Sequence, residues 1–300
     1  MFNLKRFNNR SGKALHRMVR GFTLVELLIV VAVVGVLSVG VLTAINVVSN
    51  INKATIARAK TFAASVENDI AISQVGKWSF EEGSGTVAKD TSGYGNNGTL
   101  TNGPTWQTPS QCGVGLGGCL SFNGVNAYVD SGSIWTSDVT GFSFSLWFKR
   151  GDINKEEGII GKYVSGAFGA FYLVTQSGTD KLNFFLGNGN AVDSVSIQSK
   201  KVMNDTVSWH HVAGTFKAKT FVRLYIDGAL DNEQTSIVNT DKMFATVGAS
   251  LKIGDNTNGA STNYFNGAID EVAIYNQALF SSQIQQLYAQ GLPRHLLAKW

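Results

Sequence analysis

The sequence contains adjacent carboxylates, among them Glu156-Glu157 and Asp270-Glu271. Paired carboxylates could hydrolyse a glycosidic bond, but in a retaining enzyme the two groups face each other across a cleft, roughly 5 to 5.5 Å apart. Neighbouring residues on a strand point to opposite faces of the sheet, so neither pair meets this requirement. We therefore expect a protein that is not an enzyme.

Two neighbouring histidines, His210 and His211, could ligate zinc or act in acid–base catalysis. They lie in an alternating segment, where successive side chains point to opposite faces, so they cannot both face one metal ion. We expect both histidines to be structural. The glycine-rich run 113–118 matches a dinucleotide fingerprint formally, but no strand precedes it and no helix follows it, so we discard this match.

The loop from Asp90 to Gly98 is rich in carboxylate, amide and carbonyl oxygens, which are the ligands that Ca²⁺ prefers. It is not an EF-hand, because it lacks the alternating acids and the terminal glutamate. Two interpretations stay open. The loop either binds calcium or forms an Asx-type turn, in which Asp90 and Asn97 are held by their own hydrogen bonds.

The sequence opens with a basic segment followed by an apolar run. Residues 1–21 carry six Lys or Arg residues and no acid, and residues 24–48 are almost wholly apolar. This pattern predicts a membrane segment over 22–48 with its basic side in the cytoplasm. Glu26 is unusual there, because a carboxylate at membrane depth costs roughly 2.5 to 3.5 kcal/mol and usually has a partner. The alternative is that Glu26 lies near the membrane surface of a simple anchor and reaches water.

The charge of the chain changes once the basic segment is set aside. The whole sequence contains 25 basic and 21 acidic residues, and the part after residue 21 has a net charge of about −2. The high pI therefore belongs to the first segment. No basic face with interleaved aromatic residues follows, so we expect no nucleic-acid partner.

The order Gly21-Phe22-Thr23-Leu24-Val25-Glu26 resembles the leader of type IV pilins and type II secretion pseudopilins. An ordinary secretory signal has small residues after its apolar core, whereas Gly21 lies before it. The resemblance implies that prepilin peptidase cuts between Gly21 and Phe22 and methylates the new amino terminus. It also implies that the Phe22 amine pairs with Glu26 inside a filament of pilin or pseudopilin subunits.

Residues 22–73 contain no proline and predict one long helix. At 1.5 Å per residue, some 50 residues would reach roughly 75 Å, which is far more than a bilayer needs. The second half of the helix is predicted to be amphipathic, and the excess can lie against a globular domain or line a filament. Its apolar positions are Ile51, Ala59, Phe62, Val66 and Ile70.

Short alternating runs separated by Gly, Asn, Asp and Ser occupy residues 77–276 and predict an antiparallel β-sandwich. The clearest run is 142–148, which places Phe142, Phe144, Leu146 and Phe148 on one face. The predicted fold class is therefore α+β, a long helix followed by a sandwich. Further strands are predicted at 120–123, 126–130, 158–163, 168–175, 181–186, 208–216, 222–227, 250–254 and 267–275.

Several segments, in this order, resemble the laminin-G-like, concanavalin-A-like jelly-roll domain of bacterial surface proteins. They are WSFEEGSG (78–85), DTSGYGNNG (90–98), LSFNG (120–124), FSLWF (144–148), WHHVAGTF (209–216), LYIDG (224–228) and FNGAIDEVAIYN (265–276). The resemblance implies a jelly roll over 77–291 with a short closing helix. That helix is predicted over 281–290, ended by Gly291 and Pro293, and the tail 292–300 has no assigned role.

The same resemblance implies that the Asp90 loop and the Asp270 carboxylate come together around one structural calcium ion. Asn97 would supply a further oxygen ligand. A carboxylate pair of this kind with amide and carbonyl oxygens suits Ca²⁺.

Cys112 and Cys119 are the only cysteines and lie seven residues apart in a glycine-rich loop. Both would face the oxidising side of the membrane after export, and a short loop closes at little entropic cost. We expect a disulfide, with reduced buried thiols as the alternative.

Exposed aromatic side chains commonly hold sugars by ring stacking, and six are available: Trp106, Trp135, Trp147, Tyr163, Tyr172 and Tyr264. Trp147 alternates with core residues, so it should lie on an outer face, either free or covered by another element. We expect an adhesive filament subunit, held in the inner membrane before assembly and then displayed on the cell surface, with a head that binds glycan or a surface ligand. The alternative is a structural subunit of a secretion or competence pseudopilus, whose head contacts only other subunits.

Overall fold

A computed structural model describes residues 24–112, 117–135, 138–163, 169–188, 194–235, 237, 242–243, 249–255 and 263–295. The chain divides into two compact units, with the boundary between Ala63 and Ala64. Helix α1 (Leu24–Ser73) accounts for the described part of the first unit and ends inside the second. No helix among the described residues is both long enough and apolar enough to cross a membrane. The membrane segment predicted over 22–48 stays a prediction.

The second unit is a jelly-roll sandwich of antiparallel strands, which confirms the predicted class of the head. Its strands are β1 (Gln74–Trp78), β2 (Val87–Ala88), β3 (Gly98–Thr101), β4 (Thr105–Gln107), β5 (Cys119–Asn123), β6 (Tyr128–Asp130), β7 (Gly141–Arg150), β8 (Glu157–Lys162), β9 (Gly169–Thr175), β10 (Lys181–Asn188), β11 (Val195–Val202), β12 (His210–Lys217), β13 (Phe221–Ile226), β14 (Ala229–Thr235), β15 (Lys252–Ile253) and β16 (Asn266–Tyr275). Two helices accompany them, α2 (Pro109–Cys112) and α3 (Ser281–His295).

Two sheets of eight strands each form the layers of the sandwich. The first has the order β14-β13-β12-β7-β16-β5-β4, and β1 also pairs with β16. The second has the order β11-β10-β9-β8-β15-β6-β3-β2. Alternate residues of both sheets point inward, as the period of two dictates, and bury an aromatic core. Phe144 of the first sheet, for example, stacks on Phe171 of the second, with ring centroids 5.8 Å apart.

The outward side of the first sheet is also buried, and we call it the covered face. Val66 and Ile70, at the end of α1, pack there with Tyr225 and Tyr275, and Ile284 of α3 joins them. Further along the same side, Trp147 lies beneath α3, with its ring stacked on that of Tyr288 at 5.5 Å. The amphipathic end of α1 and the closing helix together shield this side of the sheet from solvent.

Helix α3 continues to His295, so the prediction that Gly291 and Pro293 end it at residue 290 is wrong. Only glycine fits at position 291 of the helix, because the indole of Trp147 occupies the space that a side chain would need. His295 fixes the last turn, since its ring stacks on Trp147 with centroids 4.4 Å apart. These contacts offset the single hydrogen bond that Pro293 removes from the last turn. The described part of the predicted tail therefore docks on the sandwich.

Candidate functional site

A row of register partners crosses all eight strands of the second sheet on its outward side. The neighbouring row of register partners points inward and consists of core residues. The strand register therefore decides which side chains point away from the core. From β11 to β2 the outward row is Ser196, Phe185, Tyr172, Gly161, Lys252, Asp130, Thr99 and Val87. The adjacent inward row is Ile197, Phe184, Leu173, Ile160, Ile253, Val129 and Leu100.

One group of rings lies at the β9–β10 side of this row. Tyr172 and Phe185 are direct register partners, and their rings stack in parallel, with centroids 4.7 Å apart and an interplanar angle of 9°. Tyr163 stands edge-on to both, at 5.1 and 5.7 Å. All three side chains are half-buried. Burial, together with Tyr163 and Glu156, raises the pKa of Tyr172 to about 12, so its hydroxyl is a neutral donor at physiological pH.

A second group of rings lies beyond Gly161, the member of the row that has no side chain. Tyr128 and Tyr264 stack with centroids 6.3 Å apart. The Lys252 ammonium lies 4.3 Å from the centroid of Tyr128 and donates a hydrogen bond of 3.1 Å to Asp255. We call the outward side of the second sheet, with these two ring groups and the gap at Gly161 between them, the aromatic face.

The aromatic face combines flat apolar surfaces with polar groups. Gln198 and Ser196 are exposed beside the first ring group, and Ser196 donates a hydrogen bond of 2.5 Å to Asn183. Rings that present both an apolar body and a hydroxyl, flanked by amides and a cation, can stack on a sugar ring and bond its hydroxyls. Such an arrangement can bind a polar ligand.

The six aromatic residues predicted to bind sugar differ in burial and in position. Tyr163, Tyr172 and Tyr264 lie on the aromatic face, whereas Trp135 and Trp147 are buried. Trp106 is half-buried and donates a hydrogen bond from its indole to the Gly85 carbonyl. Sequence analysis missed Phe185 and Tyr128, because only the strand register shows which residue of an apolar run faces outward.

The Asp90 carboxylate is held by the backbone of its own loop and of β1. It accepts hydrogen bonds from the amides of Ser92, Lys77 and Asn96, at 2.8 to 2.9 Å. Burial alone would raise its pKa, but these bonds lower the pKa below its ordinary value. Asn97 accepts a hydrogen bond from the Asp90 amide at 2.9 Å. The structure thus brings Asp90 and Asn97 together in the geometry of the Asx-turn interpretation.

Asp270, the third predicted calcium ligand, is buried beneath the last turn of α3. Its Oδ2 lies 3.3 Å from Nε2 of His295, and its Oδ1 accepts a hydrogen bond from the Glu271 amide. Burial raises the pKa of Asp270 above its ordinary value and lowers that of His295 to about 3. No group of three or more His, Cys, Asp or Glu residues that could hold a metal occurs in the described part of the chain. Calcium binding stays a prediction.

The predicted processing and assembly residues lie wholly or partly outside the described part of the chain. Gly21 and Phe22 lie outside the described residues. The backbone of Glu26 lies in the first turn of α1, and its side chain also lies outside the description. Their roles in cleavage and assembly stay predictions.

Cys112 and Cys119 form a disulfide, with their Cα atoms 5.8 Å apart. The bridge packs against Trp147 and Trp209 on the covered face, and the indole of Trp209 donates a hydrogen bond to the Cys112 carbonyl. It therefore ties the loop after β4 to the buried side of the first sheet.

The two histidines face different surroundings, as alternation predicts. His210 is hydrogen-bonded between Asp205 and Asp227, each at 3.1 Å. His211 is buried on the covered face, where its Nε2 lies 2.8 Å from the Ser145 hydroxyl. Burial lowers the pKa of His211 to about 4. Both side chains hold structural positions.

One pair of carboxyls was missed by the sequence analysis. The turn between β7 and β8 places Asp152 within hydrogen-bonding reach of Glu157, and Asn266 bonds both, donating from its side chain to Asp152 at 3.2 Å and from its amide to Glu157 at 2.9 Å. Burial and the neighbouring Asp152 carboxyl raise the pKa of Glu157 to about 8. Two carboxyls in direct contact leave no room between them for a sugar, in contrast to the separation that glycoside hydrolysis needs.

The two packed antiparallel sheets define a β-sandwich of the jelly-roll class. A sequence model of the concanavalin A-like lectin/glucanases superfamily matches residues 123–285, more than half of the chain, so the chain belongs to this superfamily. The prokaryotic N-terminal methylation motif matches residues 16–42, which include Gly21, Phe22 and Glu26. Both resemblances predicted from sequence are confirmed. No curated protein matches the chain with significant sequence similarity.

Several solved structures share this fold, among them two toxin binding domains. The binding domain of Paraclostridial mosquitocidal protein 1 is 15% identical, with a TM-score of 0.59 over 74% of this chain. The botulinum neurotoxin serotype D ligand-binding domain, in complex with N-acetylneuraminic acid, is 16% identical, with a TM-score of 0.57 over 76% of this chain. The match spans 53% of each toxin domain, about half of its length.

A third similar structure is domain 4 of AbnA, an extracellular arabinanase from Geobacillus stearothermophilus, in complex with arabinotriose. It is 21% identical, with a TM-score of 0.55, and the match covers 72% of this chain and 98% of that domain. At these identities the three likenesses show a shared fold.

Proposed function

We propose that this protein is a pilin-like or pseudopilin-like filament subunit whose sandwich head binds glycan, making it an adhesive subunit. The aromatic face carries the proposal, because it leaves stacked rings half-exposed on a sheet whose other side is fully packed. The N-terminal methylation motif supports processing by prepilin peptidase and assembly with other subunits. The same motif supports a location in the inner membrane before assembly and on the cell surface afterwards.

Ligands of two structural neighbours support carbohydrate as the ligand class. Those proteins were solved with arabinotriose and with N-acetylneuraminic acid, and both share this fold. We further propose that the head binds its ligand without transforming it. The contact between Asp152 and Glu157 supports this, since the two carboxyls are not separated by the space that a substrate would occupy.

Glycan-array binding of the purified full-length chain tests the head. We expect binding that falls about three- to tenfold in Tyr172→Ala and Phe185→Ala, because each loses a stacking ring. Phe280→Ala is the matched control, since Phe280 is exposed in the loop before α3 and should not change binding. A head that binds no glycan, in a chain that still enters filaments, would favour the pseudopilus subunit instead.

Co-expression with a prepilin peptidase, followed by mass spectrometry of the amino terminus, tests the assembly half of the proposal. We expect a mature chain that starts at methylated Phe22. Glu26→Val should insert normally but fail to enter filaments, because the Phe22 amine loses its partner. Glu67→Val is the control on the same helix. Normal filament entry of Glu26→Val would contradict the proposal.

A further inference from the structure

A cavity of about 170 Å³ lies on the covered face, between the first sheet and α3. Its lining residues come from β1, β7, β16 and α3. They are Gln74, Lys77, Ser145, Trp147, Glu271, Ala273, Tyr275, Leu287, Gln290 and Gly291. The cavity and the aromatic face lie on opposite outer sides of the sandwich.

Two polar groups that line the cavity can each take a further partner. The Lys77 side chain is half-buried, and within the described residues its ammonium makes no ion pair. The Tyr275 hydroxyl is fully buried, with the Gln74 side chain as its hydrogen-bonding neighbour. A phenolic hydroxyl can both donate and accept, so a ligand hydroxyl can supply a second bond to it.

The one carboxylate among the lining residues of the cavity is already paired with a cation. Glu271 accepts a hydrogen bond of 2.6 Å from Arg294, whose guanidinium also bonds Glu81. Lys77 is therefore the cation that is left to attract an anion. Trp147, Ala273 and Leu287 supply apolar walls on which the body of a small molecule can lie.

The backbone at the rim of the cavity is strained. Glu271 has a φ of 49°, in the left-handed region that favours glycine, and it sits where the pairing of β16 with β7 shifts register between Asp270 and Ala273. Bulges and left-handed residues other than glycine concentrate at binding sites, because they re-aim side chains. Here the bulge turns the Glu271 side chain toward Arg294 and the mouth of the cavity.

We propose that this cavity binds a small organic monocarboxylate with hydroxyl groups, of the size of a single acidic sugar. The carboxylate pairs with the Lys77 ammonium, a ligand hydroxyl bonds the Tyr275 hydroxyl, and the body of the ligand lies against Trp147. This site does not depend on glycan binding at the aromatic face. It would give the head a second ligand position, beneath its closing helix.

Calorimetric titration of the full-length chain with glucuronate, and with glucose as its neutral counterpart, tests the proposal. We expect saturable binding of glucuronate that is at least about tenfold tighter than that of glucose, because only glucuronate pairs with Lys77. Lys77→Gln should weaken glucuronate binding at least about tenfold, and Tyr275→Phe severalfold. Equal binding of the two sugars, no binding of glucuronate, or full retention of binding in Lys77→Gln would overturn the proposal.

Two control variants keep this test separate from that of the aromatic face. Lys89→Gln makes the same charge change at an exposed site outside the cavity, and it should leave glucuronate binding unchanged. Tyr172→Ala should also leave it unchanged, since Tyr172 lies on the other sheet. A loss in Tyr172→Ala with retention in Lys77→Gln would assign the binding to the aromatic face and overturn the cavity site.

Discussion

The two outer sides of the sandwich both carry stacked aromatic residues, but they differ in burial: the rings are buried on one side and half-exposed on the other. On the covered face, Trp147 stacks on Tyr288 of the overlying helix α3 and is almost completely buried. On the aromatic face, Tyr172 and Phe185 stack even more closely, with centroids 4.7 Å apart, yet both rings stay half-exposed. Ring stacking alone therefore does not distinguish packing from recognition. The element that covers the rings decides between the two.

The largest expected effect contrasts one ring from each face. Trp147→Ala removes a fully buried side chain and should lower the free energy of unfolding by about 3–5 kcal/mol. Tyr172→Ala removes a half-buried ring and should lower it by about 1–2 kcal/mol, since full burial of a large apolar side chain contributes about 1.5–3 kcal/mol. Urea unfolding of both variants measures the difference. Equal losses would mean that the aromatic face is a packing surface as well.

A smaller effect is expected on the pH dependence of stability, through a histidine buried on the covered face. Burial lowers the pKa of His211 to about 4, from an ordinary value of 6.5. Between these values the unfolded chain binds a proton that the folded chain excludes, so stability falls as the pH drops. His211→Gln should reduce the loss of unfolding free energy between pH 7 and pH 5 by roughly 2 kcal/mol. Urea unfolding at the two pH values measures it.

The control for this pH effect is on the same strand. His210 lies between Asp205 and Asp227, and although burial opposes it, these carboxylates raise its pKa. Its protonated form is therefore stabilised by folding, and His210→Gln should make the loss of stability at low pH steeper. The same change in both variants would contradict the assignment of the acid sensitivity to the covered face.

The smallest expected effect concerns the edge of the second sheet, where the Asp90 loop joins β2 to β3. Extracellular calcium modules bind with dissociation constants near 0.1–1 mM, so about 1 mM calcium would raise stability by up to about 1.4 kcal/mol. Thermal unfolding with calcium and with a chelator measures this rise. Asp90→Asn should abolish it, whereas Asp69→Asn, on an exposed position of α1, should not. Unchanged melting in calcium would leave the Asx turn as the complete account of the loop.

Sequence patterns located the strands that alternate clearly and missed those that do not. β7 was predicted because four of its side chains point into the core, and β12 for the same reason. β14 was not predicted, because it is an edge strand with no buried residue and carries polar residues throughout. Hydrophobic alternation reports burial on one side, and an exposed edge strand lacks that signal.

The candidate sites depended on contacts between residues distant in sequence. Phe185 follows Phe184, and only the pairing with Tyr172 shows that Phe185 is the outward residue. The burial of Asp270 depends on His295, which sits in a helix that the sequence rules ended too early. The disulfide could be predicted from the sequence because its two cysteines lie only seven residues apart. Contacts between residues close in sequence could therefore be predicted, whereas contacts between strands distant in sequence could not.

The pairing of β1 with β16 has a consequence for the biogenesis of the protein. Gln74 pairs with Tyr275, so the first strand of the head can find its partner only after about two hundred further residues have been made. At a synthesis rate of roughly 5–20 residues per second, this takes on the order of 10–40 s. Until then β1 has no partner strand. The first sheet is therefore completed only when β16, which lies between β7 and β1, has been synthesised.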